Sequence, residues 1–333
     1  MKKFVTGMAV AVSAAIAATT AQAATKTLIV ASWAGPKHVM NASFFPYYKE
    51  ALEKCSGGEL SLKVEFGLAP PPALYDTVRD GVADITWVVH GYTPGKFMTT
   101  KLAELPGIPG NSQSISVAYQ KTWEKYLEAA GEAKGVQTLS VFVHGPGMIH
   151  TIPAIKSMKD LEGMKLRVGG GVANDIGTAL GVAGVNVPAP AVYETLASGV
   201  AEGVFFPMET MYAFKVAEHA KNTYVNPDGM YTTSFGLLLN QDAYEGLSAK
   251  ERSCIDSNRG VELTKTLGGM WDEADSIGLR EAKKMGLNII EWSQAERDYF
   301  KQKTAPIEGK VLGEISSRGV DAKAALTYFK SEL

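Results

Sequence analysis

Leu74-Tyr-Asp-Thr-Val-Arg-Asp-Gly-Val-Ala-Asp84 returns, nearly position for position, as Val192-Tyr-Glu-Thr-Leu-Ala-Ser-Gly-Val-Ala-Glu202. Each copy reads as a helix stopped by a glycine, Gly81 or Gly199, in the left-handed role that ends many helices. Each then turns into an apolar strand, toward Trp87 in the first and Phe206 in the second. Helix-glycine-strand units are common in any α/β protein. The shared Tyr-acidic-Thr agreement favours an internal repeat, and with it two similar lobes.

The flanking sequence extends the pattern. Thr27-Leu-Ile-Val-Ala31, Leu60-Ser-Leu-Lys-Val-Glu-Phe66 and Asp84-Ile-Thr-Trp-Val-Val89 read as strands. Between them, the span 41–54 puts Phe44, Phe45, Tyr48, Ala51 and Leu52 on one helical face. Strand and helix in alternation predict a parallel α/β layer. A second series begins near Val136 and includes strands at 164–168, 185–187 and 203–206. After Thr232 come a strand at 235–239, a long helical stretch over 248–285 without proline, and a last strand at 287–292. Two α/β lobes with strands crossing back and one long helix spanning both describe a hinged clamshell. Its ligand would sit in the cleft, near the carboxyl ends of strands.

With 333 residues, 46% hydrophobic and 20% charged, the chain suits two globular domains. A formal net charge of −2 gives no electrostatic case for nucleic acid. Met1-Lys-Lys3 followed by the apolar run Met8 to Ala18 and the small-x-small site Ala21-Gln-Ala23 reads as a cleaved signal peptide over 1–23, cut near Ala23. The apolar core is too short for a membrane anchor. The mature protein is thus expected in the periplasm. Cys55 and Cys254, the only cysteines, could form one disulfide there, or stand apart as two small buried residues.

Enzyme signatures are missing. Gly169-Gly-Gly171-Val-Ala-Asn174 follows a strand but lacks the third glycine of a dinucleotide fingerprint. No phosphate loop, zinc-protease motif or serine elbow occurs. His144 and His150 are separated by a spacer that fits no common zinc site, so neither metal nor cofactor is expected. The demanding residue is Arg167, in Met164-Lys-Leu-Arg167-Val-Gly-Gly-Gly171. A permanent charge at the end of a buried strand costs several kcal/mol if unpaired. Two readings stand on the residues alone. An internal Asp or Glu neutralises it, or a bound anion does, approached closely over the glycines and favoured by the amino end of a helix beginning near Val172.

The segment Asp160-Leu-Glu-Gly-Met-Lys-Leu-Arg167-Val, with Gly184-Val-Asn-Val-Pro188, the second repeat copy through Gly203, and Pro207, resembles the substrate-binding proteins of TRAP transporters. The likeness runs from Ala31-Ser-Trp33 to the C-terminal helical part. It implies an α/β, two-lobed periplasmic-binding-protein clamshell: lobe I from 24–143 plus about 235–275, lobe II from 144–234 plus about 286–333. It also implies a non-enzymatic binder that closes on a small organic acid and delivers it to membrane permease subunits, with the arginine matching Arg167 on the ligand carboxylate. Where many dicarboxylate and sialic-acid members have asparagine before this proline, the chain has Phe206. The second arginine those members tend to carry around Gly147 is lacking. Trp33, Trp87, Tyr92, Phe206, Met208 and Tyr231 fall at cleft positions, with His144 as a hydrogen-bonder, although each aromatic could instead serve core packing. This pattern resembles a branch associated with aromatic acids such as hydroxybenzoates. An aliphatic oxo or hydroxy acid, or an exported sensor subunit, is the alternative.

Overall fold

The computed structural model describes residues 25–333; the signal peptide and cleavage site expected from the sequence lie outside them. In chain order the strands are β1 (Lys26–Ser32), β2 (Leu60–Phe66), β3 (Ile85–Val89), β4 (Val136–Val143), β5 (Met148–Thr151), β6 (Lys165–Val168), β7 (Ala183–Asn186), β8 (Gly203–Phe206), β9 (Asn222–Val225), β10 (Ser234–Asn240) and β11 (Asn288–Glu291). They form two sheets, β2-β1-β3-β10-β4 and β7-β6-β8-β5-β9-β11. The first five places of the two sheets correspond. β1 runs parallel to β2 and β3, as β6 does to β7 and β8. In each sheet the fourth strand is antiparallel to both neighbours.

That fourth strand corrects the expectation of purely parallel layers. β5 enters the second sheet directly from β4 of the first, and β10 returns to the first sheet after β9 of the second. A strand arriving from the other lobe enters from the opposite end and so runs against its neighbours. Among the described residues the chain passes between the sheets at 144–147, at 226–233 and again through 241–287, which carries the long helix.

The repeated sequence occupies equivalent places. Helices Leu74–Arg79 and Val192–Ala197 each follow a short 3₁₀ turn, Pro71–Ala73 or Ala189–Ala191. Gly81 and Gly199 adopt φ of 74° and 70°, the left-handed conformation that glycine reaches without steric cost. Each helix leads to the strand in third place, β3 or β8.

The long helical stretch is broken at Gly260 into Ala249–Ser257 and Val261–Lys284. The second piece spans the lobes by close approach at two glycines. A Cβ on Gly268 would stand 2.6 Å from Gln113 Cα of the first lobe, and one on Gly278 2.3 Å from Met208 O of the second. Its buried Leu267 and Trp271 join Leu28, Val30, Phe44 and Leu237 in the first lobe's core.

The C-terminal segment adds β11 to the second sheet and then touches both lobes. Helix Gln294–Ser316 pairs Glu314 with Lys101 at 2.6 Å and Lys310 with Asp175 at 2.7 Å. The cysteines are joined: the Cys55–Cys254 disulfide ties helix Phe45–Ser56 to helix Ala249–Ser257 in the first lobe. No helix among the described residues is long and apolar enough to cross a membrane.

Candidate functional site

Arg167 lies within β6, whose parallel neighbours β7 and β8 leave its side chain in the crevice between the lobes. It is 1% exposed. Its Nε donates to Val187 O at 2.9 Å, Nη1 to Phe205 O at 3.4 Å and Nη2 to the Tyr92 hydroxyl at 3.0 Å. A guanidinium has five N–H donors, so one remains on each of Nη1 and Nη2. Among the described residues no carboxylate lies within 4.0 Å of it. The internal ion pair that the sequence left open is therefore not formed. Gly169 flanks the charged group, and a Cβ there would sit 3.4 Å from Nη1.

Tyr92 reaches across from the first lobe. Its hydroxyl accepts from Arg167 Nη2 and, at 2.9 Å, from Ala189 N of the second lobe. With both lone pairs engaged, its own proton is free to donate. A second bridge is Glu104, buried in the first lobe. Its Oε1 accepts from Ser234 N and Oγ, and its Oε2 accepts from Val172 N at 2.9 Å. This contact takes the amino end of helix Gly171–Ala179, expected from the sequence to favour a bound anion. These bonds describe the closed clamshell.

Between the joined lobes, beside Arg167, lies a small cavity of about 40 Å³, below the usual range for small-ligand sites. Six of the eight residues singled out in the sequence line it: Trp33, Tyr92, His144, Arg167, Phe206 and Tyr231. The Arg167 guanidinium carbon lies 4.4 Å from the Phe206 ring centroid, a cation–π contact. The Tyr231 ring packs on Gly147, where a Cβ would come within 2.1 Å of it. Any larger residue at position 147 would expel that ring.

His144 is buried and donates through Nδ1 to Gly145 O, which leaves the Nε2 lone pair available as an acceptor. Burial lowers its pKa to about 4, helped by the positive charge of Arg167 and opposed by its backbone hydrogen bonds. It is therefore neutral at pH 7.

Two expected site residues lie elsewhere. Trp87 is fully buried behind Trp33, its ring stacked at 4.1 Å and its Nε1 bonded to Ser32 Oγ at 3.0 Å. Met208 packs beneath the long helix with Met211, Val216 and Ala282. His150 is a satisfied core histidine, bonded to Thr223 Oγ1 at 2.8 Å and Phe206 O at 3.2 Å.

The sequence reading missed Phe205, Glu209, Thr210, Phe214 and Phe235, all of which line the cavity. Phe214 stacks on Phe206 at 5.7 Å. The only available signal was position: Glu209 and Thr210 follow Pro207 at the carboxyl end of β8. A wider groove of about 530 Å³ adjoins the cavity at Tyr92 and Gly169. Its lining includes Asn174 and Asp175 of helix Gly171–Ala179, and its Lys101 is paired with Glu314.

Residues 30–312 match the family described as bacterial extracellular solute-binding protein, family 7. A TRAP periplasmic solute-binding protein from Bordetella bronchiseptica, solved with (R)- and (S)-mandelate, superposes with a TM-score of 0.89 at 34% identity, over 92% of this chain and 98% of that one. A marine-metagenome TRAP protein specific for aromatic acids, solved with 3-hydroxybenzoate, gives a TM-score of 0.87 at 33% identity, over 93% and 98% of the two chains. The transporter protein TsaT of Comamonas testosteroni, described as an outer membrane protein, is 26% identical over 93% of each chain. The chain belongs to family 7 of the bacterial extracellular solute-binding proteins, the solute-binding proteins of TRAP transporters.

Proposed function

We propose that this protein captures a small aromatic monocarboxylate in the periplasm and delivers it to the permease subunits of a TRAP transporter. The observation that carries the reading is Arg167, a buried guanidinium with two free N–H donors and no carboxylate partner among the described residues. A ligand carboxylate supplies the missing charge and accepts both donors, with the Tyr92 proton as a third contact. Much of the rest of the wall is aromatic (Trp33, Phe205, Phe206, Phe214, Tyr231 and Phe235), which suits a ring, and its lining has no second cation for another carboxylate. That mandelate and 3-hydroxybenzoate occupy the two similar structures supports the same chemical class.

The test is selectivity. A ring against Phe206 gains roughly 0.5–1.5 kcal/mol beyond area burial, while a second carboxylate left without partners is penalised. Calorimetry should find benzoate binding at least about tenfold more tightly than succinate or malate, about 1.4 kcal/mol. Phe206→Asn should narrow that ratio by weakening benzoate more. A wild-type preference for the dicarboxylate would refute the aromatic reading.

Closure gives a second check. Saturating benzoate should shrink the radius of gyration in solution scattering and change the emission of Trp33, which lines the cavity. Replacing Trp33 by Phe should remove most of the emission change, because Trp87 lies behind it, fully buried. Only the loaded, closed form then presents both lobes together to a permease. Superimposable scattering curves with and without ligand would contradict closure.

A further inference from the structure

The cavity holds a second polar group that an aromatic monocarboxylate alone does not use. Glu209 stands where β8 gives way to the short helix Thr210–Ala213, and its backbone N–H donates to Asp275 Oδ1 at 2.7 Å from the long helix. Its side chain is 4% exposed and lines the cavity with Trp33, Thr210 and Phe214. Oε1 lies 3.8 Å from His38 Nε2, too far for a good hydrogen bond. Oε2 is buried without a hydrogen-bond partner among the described residues. His38, 2% exposed, accepts Met40 N–H on Nδ1 at 3.3 Å, so its neutral ring carries the proton on Nε2, toward Glu209. Its ring is held between Trp87 at 4.9 Å and Trp271 at 5.3 Å. An acid side chain fixed at an apolar wall with one oxygen unsatisfied loses the free energy of the missing bond unless a ligand completes it.

Building on the aromatic-acid reading, we infer that Glu209, which stands beside His38, receives a hydroxyl group on the ligand's ring, so that the protein selects ring-hydroxylated aromatic acids over their unsubstituted parents. Burial, and then the neighbouring Asp275, push the Glu209 carboxyl well above the usual carboxylate range. Burial thus favours its protonated form, which has one O–H donor and free acceptor capacity. A phenol has the same pair, so the two groups satisfy each other without burying a charge. A second carboxylate on the ligand would bring a charge to a wall whose lining has no cation besides Arg167, and would be disfavoured.

The experiment is calorimetry of benzoate, 3-hydroxybenzoate, 4-hydroxybenzoate, phenylacetate and 4-hydroxyphenylacetate on wild type, Glu209→Gln and Glu209→Leu, with melting curves for each protein. In wild type, at least one hydroxylated acid should bind about tenfold or more tightly than its parent, about 1.4 kcal/mol. Glu209→Leu should abolish that ratio, and should melt no lower, because it removes an unsatisfied buried group. Glu209→Gln, which keeps a donor and an acceptor, should retain most of the ratio. Benzoate binding with no preference for any hydroxylated acid, or a preference undiminished in Glu209→Leu, would overturn the role of Glu209. Failure of all five acids to bind wild type would instead overturn the aromatic-acid reading beneath it. Should the leucine variant fold poorly, loss of the ratio in Glu209→Gln would count against a hydrogen bond to either group, and its retention would count for it.

Discussion

Arg167→Ala should weaken binding of an aromatic acid by about 2–5 kcal/mol, the usual cost of truncating one partner of a buried charge pair. In affinity that is about 30-fold to several thousand-fold. Arg167→Lys should recover little, since a single ammonium cannot place two donors on one carboxylate while still holding Val187 O and Phe205 O. The unliganded fold should survive the alanine substitution, because no acidic side chain depends on this charge. Calorimetry and a thermal melt on the two variants decide the matter. Unchanged affinity in the alanine variant, or collapse of the apo protein, would indicate that Arg167 serves the fold and not the ligand.

Removing the Cys55–Cys254 disulfide should cost about 2–5 kcal/mol of stability. The bond closes a loop between residues 199 apart, within which the whole second sheet except β11 is inserted. In the chain-entropy picture, long loops gain most from such a link, because the unfolded chain loses the most freedom. Neither cysteine lines the ligand cavity. Cys55→Ser combined with Cys254→Ser should therefore lower the denaturation midpoint yet leave ligand affinity nearly unchanged well below the melt. An unaltered midpoint would mean that helix packing alone holds the two segments together.

The division into lobes was legible in the sequence because the repeat combines two local signals. Gly81 and Gly199 must take left-handed backbone, and the apolar runs after them must pair in a sheet. Arg167 was legible for a different reason: a charge in an apolar strand demands a partner wherever the strand lies. The direction of β5 and β10 was not, since strand residues do not encode which lobe the chain has just left. Trp87 and Trp33 look alike in sequence, yet one side chain enters the core and the other the cavity: Trp87 stands within β3, whereas Trp33 follows the end of β1. Met208 follows Pro207 out of β8, but its backbone is pressed against Gly278 and its side chain packs with Val216 and Ala282. Glu209 reads as an ordinary solvent-facing acid. Only the closed fold brings it to His38 and buries both.

A crystal structure of the benzoate complex tests the contact between Arg167 and a ligand carboxylate most directly. Both carboxylate oxygens should lie about 2.7–2.9 Å from Arg167 Nη1 and Nη2, with the ring against Phe206 and the lobes joined through Tyr92 as they are here. Benzoate seated in the wider groove beside Gly169–Gly171, or an Arg167 side chain turned to a protein carboxylate while the ligand binds elsewhere, would contradict it.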